Sequence, residues 1–141
     1  MTSDPARTML AYARRIAVVG VSDKAWRDSH SVSVAMLRQG YDIVPVNPHI
    51  DEVFDRTVYA SLRDVPGDVD VVNVFRRESA LPEVAREAVA IGARGVWVQL
   101  GLRSTEARRI VEDAGLDYVE DLCIKVEISR YRGELELPPA V

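Results

Sequence analysis

Five short runs of apolar, largely β-branched residues punctuate the chain: Ile16-Ala17-Val18-Val19-Gly20-Val21, Tyr41-Asp42-Ile43-Val44-Pro45-Val46, Val69-Asp70-Val71-Val72-Asn73-Val74-Phe75, Gly95-Val96-Trp97-Val98-Gln99 and Leu116-Asp117-Tyr118-Val119. Their apolar positions are mostly continuous rather than alternating, which predicts strands covered on both faces, as in a parallel sheet. Between them the apolar positions take helical spacing. The segment 29–39 gathers Val32, Ala35 and Met36 on one face, 79–91 gathers Leu81, Val84, Ala85 and Ala88, and 104–114 gathers Ala107, Ile110, Val111 and Ala114. Each such segment begins near a serine able to cap free N–H groups and ends just before a glycine, Gly40, Gly92 or Gly115. This recurrence of helix, glycine and strand predicts βαβ units and an α/β fold, a doubly wound parallel sheet of about five strands with helices on both faces.

The remaining segments are less regular. A helix is expected before the first strand, with Asp4 as its cap and Pro5 at its first position. Residues 49–68 follow Pro48 and carry Pro66 and Gly67 near their end; they read as a loop with a short extended piece at Thr57-Val58-Tyr59 and a helical turn from Ser61. The chain after Cys123 reads as a tail, and residues 132–141, with Pro138-Pro139, are expected to fray. No linker divides the chain, so residues 1–141 are expected to form one domain. At this length a domain can bury roughly 68–70% of its unfolded surface.

Composition and charge narrow the functional classes. With 48% hydrophobic and 28% charged residues the chain is ordinary for a globular protein. Eighteen basic and twenty-two acidic residues give a formal charge of -4, which argues against broad electrostatic binding to nucleic acid or to an anionic membrane. An anionic ligand must therefore be held by local geometry. The single cysteine, Cys123, excludes an intrachain disulfide and leaves no zinc-ligand pattern, which suits a reducing, cytoplasmic setting. No uncharged apolar stretch approaches the roughly 20 residues that span a bilayer.

In open parallel sheets ligands sit beyond the carboxyl ends of the strands, and phosphates favour the start of the first crossover helix. There the chain reads Gly20-Val21-Ser22-Asp23-Lys24-Ala25-Trp26-Arg27-Asp28-Ser29-His30-Ser31. Gly20 permits close backbone approach, the serines offer donors, and Lys24 and Arg27 bring local positive charge. The same residues also fit a surface loop with capping serines, since the other two glycines of G-x-G-x-x-G are missing. After the second strand stands Val46-Asn47-Pro48-His49, where an NAD site normally places an acidic residue, so a dinucleotide reading is weakened. After the third, Phe75-Arg76-Arg77 offers a phosphate clamp beside an aromatic ring, or a solvated start to a helix. On the fourth, Trp97 and Gln99 share a side, facing the ligand or packing beneath a helix; for Trp97 alone, core packing is favoured.

Together these pieces resemble the CoA-binding domain family, the stand-alone relatives of the N-terminal domain of the succinyl-CoA synthetase alpha subunit. The resemblance is carried by 17–22, 41–48, 58–62, 74–77, 96–101 and Glu120-Asp121-Leu122-Cys123-Ile124-Lys125, in one order over almost the whole chain. It implies a Rossmann-like fold that holds the ADP part of coenzyme A across the strand ends. By that resemblance Gly20, Val21 and Ser22, with Ser29 and His30, would face the pyrophosphate. Lys24, Arg27 or His49 would meet the 3′-phosphate, and Val46, Asn47 and Pro48 would border the ribose. Phe75 and Arg76 would lie by the nucleotide, and Trp97 and Gln99 toward the pantetheine path. One departure stands out: relatives usually carry a glycine where this chain reads Glu52-Val53-Phe54-Asp55-Arg56.

The residues show no catalytic machinery. Acidic Glu120 and Asp121 precede Cys123 where an activated thiol has cationic neighbours, and His30 has no evident triad partners. The phosphorylated histidine of the synthetase belongs to another domain, so that activity does not carry over. The sequence is thus consistent with a carrier, sensor or partner module for CoA or an acyl-CoA. The alternatives are an NAD(P)-binding, oxidoreductase-like protein and an interaction protein that has lost its ligand. Sheet edges and the Pro-rich tail permit a homodimer or another protein partner.

Overall fold

The computed structural model describes residues 4–135. A first helix, α1 (Pro5–Tyr12), starts as expected: the Asp4 carboxylate accepts from the Ala6 amide at 3.0 Å and Pro5 takes the first helical position. There follow β1 (Arg15–Val19), α2 (Asp28–Arg38), β2 (Asp42–Val46), a hairpin of β3 (Glu52–Val53) and β4 (Arg56–Thr57), β5 (Val71–Val74), α3 (Leu81–Ala90), β6 (Gly95–Val98), α4 (Thr105–Asp113), β7 (Asp117–Val119) and α5 (Ile124–Tyr131). The five longer strands form one parallel sheet in the order β2-β1-β5-β6-β7, a Rossmann-like α/β architecture.

Alternation along each strand builds two cores. Ile16, Val18, Ile43, Val71, Trp97 and Val119 point to the face covered by α1, α2 and α5. Ala17, Val19, Val44, Val72, Val74, Val96 and Val98 point to the face covered by α3 and α4. The continuous apolar runs in the sequence reflect this two-sided burial. Gly95 opens β6 because α1 lies against it: a Cβ there would come within 2.7 Å of the Met9 methyl and the Tyr12 hydroxyl.

The helix, glycine, strand rhythm is observed, with Gly40, Gly92 and Gly115 at positive φ after α2, α3 and α4. The serine caps are not uniform. Ser104 caps α4 by accepting from the Ala107 amide at 3.0 Å. Ser29 lies inside α2 and Ser79 in a 3₁₀ turn before α3, and neither is a cap. The irregular 49–68 segment returns to the sheet where Tyr59 bridges Val46, and a 3₁₀ turn at Leu62–Asp64 follows Ser61.

The segment after Cys123 is corrected by the structure. Residues 124–131 form α5, whose Ile124 and Ile128 are buried against Trp97 and Val119 in the first core. The Tyr131 hydroxyl ties α5 to α1 through the Asp4 carboxylate. Of the expected frayed tail, residues 132–134 form a further 3₁₀ turn, and residues 136–141 lie outside the described residues.

Candidate functional site

The chain leaves β1 to form β2 on one side, then crosses over to lay β5 on the other side of β1. The strand order therefore reverses between β1 and β5, and crevices of open α/β sheets open at such a point, beyond the carboxyl ends. Two clefts open there. The smaller, about 380 Å³, is walled by Gly20, Asn47, Pro48, His49 and Phe75–Arg77. The larger, about 540 Å³, runs between the starts of α2 and α5, with Gln99, Leu100 and Leu102 from the loop after β6. Phe75, Arg76 and Arg77 belong to both, so the two clefts share one wall.

The backbone around Gly20 is fixed by that wall. Gly20 has φ of 89° and donates to the Val46 carbonyl at 2.9 Å. A Cβ there would meet the Phe75 carbonyl oxygen at 2.2 Å and the Arg76 Cδ at 3.1 Å, so only glycine lets the exits of β1 and β5 approach this closely. Asn47 staples the exit of β2 to the same place. Its amide nitrogen donates to the Val21 carbonyl at 2.8 Å while its oxygen accepts from the His49 amide at 2.8 Å.

The serines shape the loop rather than point out of it. The buried Ser29 hydroxyl accepts from the Ser22 amide at 2.9 Å, and the Ser22 hydroxyl accepts from the Lys24 amide at 3.0 Å. Lys24 lies 4.0 Å from Asp23, and the Arg27 guanidinium sits 4.7 Å over the exposed Trp26 ring. Neither cation lines a cleft. The cations that do are Arg76, Arg77 and, on α5, Lys125, and none of the three has an ion-pair partner among the described residues.

Several expected contact residues are placed differently. Val21 and Val46 are 0% and 2% exposed, so only their backbones border the site. Trp97 is fully buried and its indole N–H donates to the Leu122 carbonyl at 2.8 Å; it supports α5 from below instead of lining a pantetheine path. Gln99 does line the larger cleft, with its carboxamide donating to buried Asn73 and accepting from the Ile124 amide. His30 packs on Phe54 of the β3–β4 hairpin at 4.8 Å between ring centroids. Phe54 and Asp55 both have positive φ, 57° and 56°, in the loop where a glycine is usual, and packing of Phe54 against the first core and His30 holds that conformation.

Arg77, weighed in sequence as half of a phosphate clamp, lines both clefts, whereas Leu100, Leu102, Lys125 and Val126 were missed as lining residues. The signal for the α5 pair was the spacing of Ile124, Ile128 and Tyr131, one helical face within a segment read as tail. The loop carrying Leu100 and Leu102 is pinned from below. The Asp121 carboxylate accepts from the Gly101 amide at 2.7 Å and from Arg103 at 2.6 Å, and these partners hold it below the usual carboxylate range, the Gly101 N–H first. Glu78 accepts from the Arg103 amide at 2.8 Å. Among the described residues no group of three or more His, Cys, Asp or Glu is placed to hold a metal ion, and no helix is long and apolar enough to cross a membrane.

The sequence profile of a family described as CoA binding domain matches residues 14–129. The chain is 46% identical over 120 residues to the uncharacterized protein YneT of Bacillus subtilis, covering 85% of this chain and 89% of that one. It is 28% identical over 91 residues to the ADP-forming acetate–CoA ligase II of Archaeoglobus fulgidus, covering 63% of this chain but only 14% of the ligase. Among solved structures, a hypothetical protein from Pyrococcus horikoshii superposes with a TM-score of 0.87 at 35% identity over 92% of each chain.

Proposed function

The chain belongs to the CoA-binding domain family, and from that premise we propose that it binds coenzyme A or an acyl-CoA as a binding module that leaves chemistry to a partner. The observation that carries this reading is the shared wall at the switch point. Phe75–Arg77 presents two unpaired arginines to a small polar cleft and a larger apolar one, a shape suited to an elongated ligand with phosphates at one end. The adenosine and its phosphates would occupy the cleft of Gly20, Asn47, Pro48 and His49, and the pantetheine arm would pass Phe75 into the larger cleft. A phosphomonoester carries roughly -1.5 to -2 charges near neutrality, so Arg76, Arg77 and His49 would govern recognition of the 3′-phosphate. Asn47 stands where a dinucleotide fold puts its ribose-binding carboxylate, and its amide is taken up by Val21, which speaks against NAD. Neither histidine is hydrogen-bonded to a carboxylate or hydroxyl that could make it a base, among the described residues.

A thermal-shift comparison tests the reading, because a ligand stabilises by RT ln(1 + [L]/Kd), about 2.7 kcal/mol at a hundredfold excess over Kd. The expected order is CoA above dephospho-CoA, with NAD and NADP below both. Equal shifts for CoA and dephospho-CoA would remove the 3′-phosphate assignment. A larger shift with NADP would move the protein to the dinucleotide class, and no shift with any nucleotide would leave an interaction protein.

A further inference from the structure

We propose that the larger cleft is an acyl compartment that selects acyl-CoA thioesters with uncharged aliphatic acyl groups over carboxylated ones; this rests on the coenzyme A reading above. Leu100, Trp26 and Val126 are the exposed large hydrophobics among the described residues, and two of them, Leu100 at 69% and Val126 at 58%, line this cleft. They stand on different elements, the loop after β6 and the first turn of α5, and Leu102 and Phe75 join them. The aliphatic surface therefore converges on a concave space and is not scattered over the molecule, as single exposed apolar residues usually are.

The compartment is also pre-formed. Leu100 does not fold inward, because the next residue, Gly101, is held by Asp121, and Arg103 two residues on is held by Asp121 and Glu78. Asp121 itself sits at φ of 60°, a left-handed conformation that aspartate adopts more readily than most residues, and its bonds to Gly101 and Arg103 fix it there. Bracing of this kind keeps an apolar wall facing solvent until something covers it.

Charge on the far side is balanced. Beyond the shared arginines the larger cleft has Asp28 and Lys125, one acid and one base, and its buried amide, Gln99, is already engaged by Asn73 and the Ile124 backbone. A carboxylate carried past Phe75 would lose water against Leu100, Leu102 and Val126 without a buried cation to receive it. An alkyl chain loses nothing there and gains up to about fourfold in affinity per methylene at full burial.

The test is calorimetric titration of the whole chain with CoA, acetyl-CoA, butyryl-CoA, hexanoyl-CoA and succinyl-CoA. The readout is each affinity divided by that of CoA within the same protein, so any effect of a substitution on CoA itself cancels. The expected result is a ratio that climbs from acetyl to hexanoyl and stays near one for succinyl. In the double variant Leu100→Ser, Val126→Ser the climb should disappear. Because both side chains are exposed, the variant should keep its melting temperature, and a matching melting curve confirms that it is folded. A flat series, a succinyl ratio equal to or above butyryl, or a climb that survives the double substitution would overturn the acyl compartment while leaving CoA binding in place. Failure of CoA itself to bind would overturn the underlying reading, and this one with it.

Discussion

The two ends of the sheet are built on opposite terms. At the amino end nearly every strand begins with a charge that finds a partner. Asp70 accepts from the amides of Arg14 and Arg15 at 3.0 and 2.9 Å, and Arg15 reaches Asp42 and the carbonyls of Pro66 and Asp68. Arg56 also pairs with Asp42, Tyr12 donates to Asp117 at 2.9 Å, and the Arg94 guanidinium lies 3.9 Å over the Tyr12 ring. The exception is Tyr41, whose buried hydroxyl has no partner and whose pKa is pushed up to about 12 by burial. At the carboxyl end Arg76, Arg77 and Lys125 lack acidic partners among the described residues, and Leu100 and Val126 face solvent. Charges closed on one another hold a fold together, whereas charges left open beside apolar surface suit the ligand proposed above. On that proposal the same sheet separates stability from binding along its strands.

The largest break in this comparison is Gly20→Ala. A Cβ at φ of 89°, 2.2 Å from a backbone oxygen, forces β1 and β5 apart. A loss of roughly 3 kcal/mol in urea unfolding is expected, the upper range for a single substitution, together with loss of the CoA shift. A stable Gly20→Ala protein would show that the close approach of Gly20 to Phe75 is dispensable. Next comes Asp70→Ala at the amino end. Removing a charged acceptor shared by two backbone amides should cost about 2 kcal/mol while leaving the affinity of the folded fraction for CoA unchanged. A parallel fall in affinity would show that the two ends are not separate.

Arg76→Ala with Arg77→Ala reverses that outcome. Neither guanidinium has a partner to lose among the described residues, so stability should stay within about 0.5 kcal/mol of the parent. CoA affinity should fall at least tenfold, which corresponds to about 1.4 kcal/mol. Calorimetry beside chemical unfolding reads both quantities on one protein.

What sequence alone revealed follows the same division. Strands and helices that bury whole faces announce themselves by period, so β1, β2, β5, β6 and β7 with α2 to α4 were legible to within a few residues. The helix α5 was not, because its apolar face is short, only Ile124, Ile128 and Tyr131, and a Pro-rich end follows it. The switch point was legible as a place, through Gly20 and the ends of β2 and β5, since topology fixes where strands end. The roles of side chains there were not. Ser22, Ser29 and Asn47 look like ligand contacts in sequence, yet the two serine hydroxyls accept from backbone amides of their own loop and the Asn47 amide donates across to the Val21 carbonyl. Lys24 and Arg27 likewise read as phosphate cations, but neither lines either cleft, whereas Arg76 and Arg77 line both.

The smallest effect concerns a carboxylate engaged at the open end, Asp121. Its partners, the Gly101 amide first and Arg103 second, hold its pKa below the usual value, near 3.9 in an unfolded chain. The unfolded state therefore binds the proton more readily, so ionised Asp121 stabilises the fold above about pH 4, and that contribution fades as the pH falls through the lower folded-state value. Melting temperatures of the parent and of Asp121→Asn should differ slightly near neutrality and converge in acid. Salt should narrow the neutral gap, because the Arg103 pair is exposed and screened. A gap that persists unchanged in acid would show that the effect does not come from the charge of Asp121. If the gap closes as expected, Asp121 is an amino-end kind of residue serving the carboxyl end: its own charge is satisfied so that its neighbours Leu100 and Leu102 can be left uncovered.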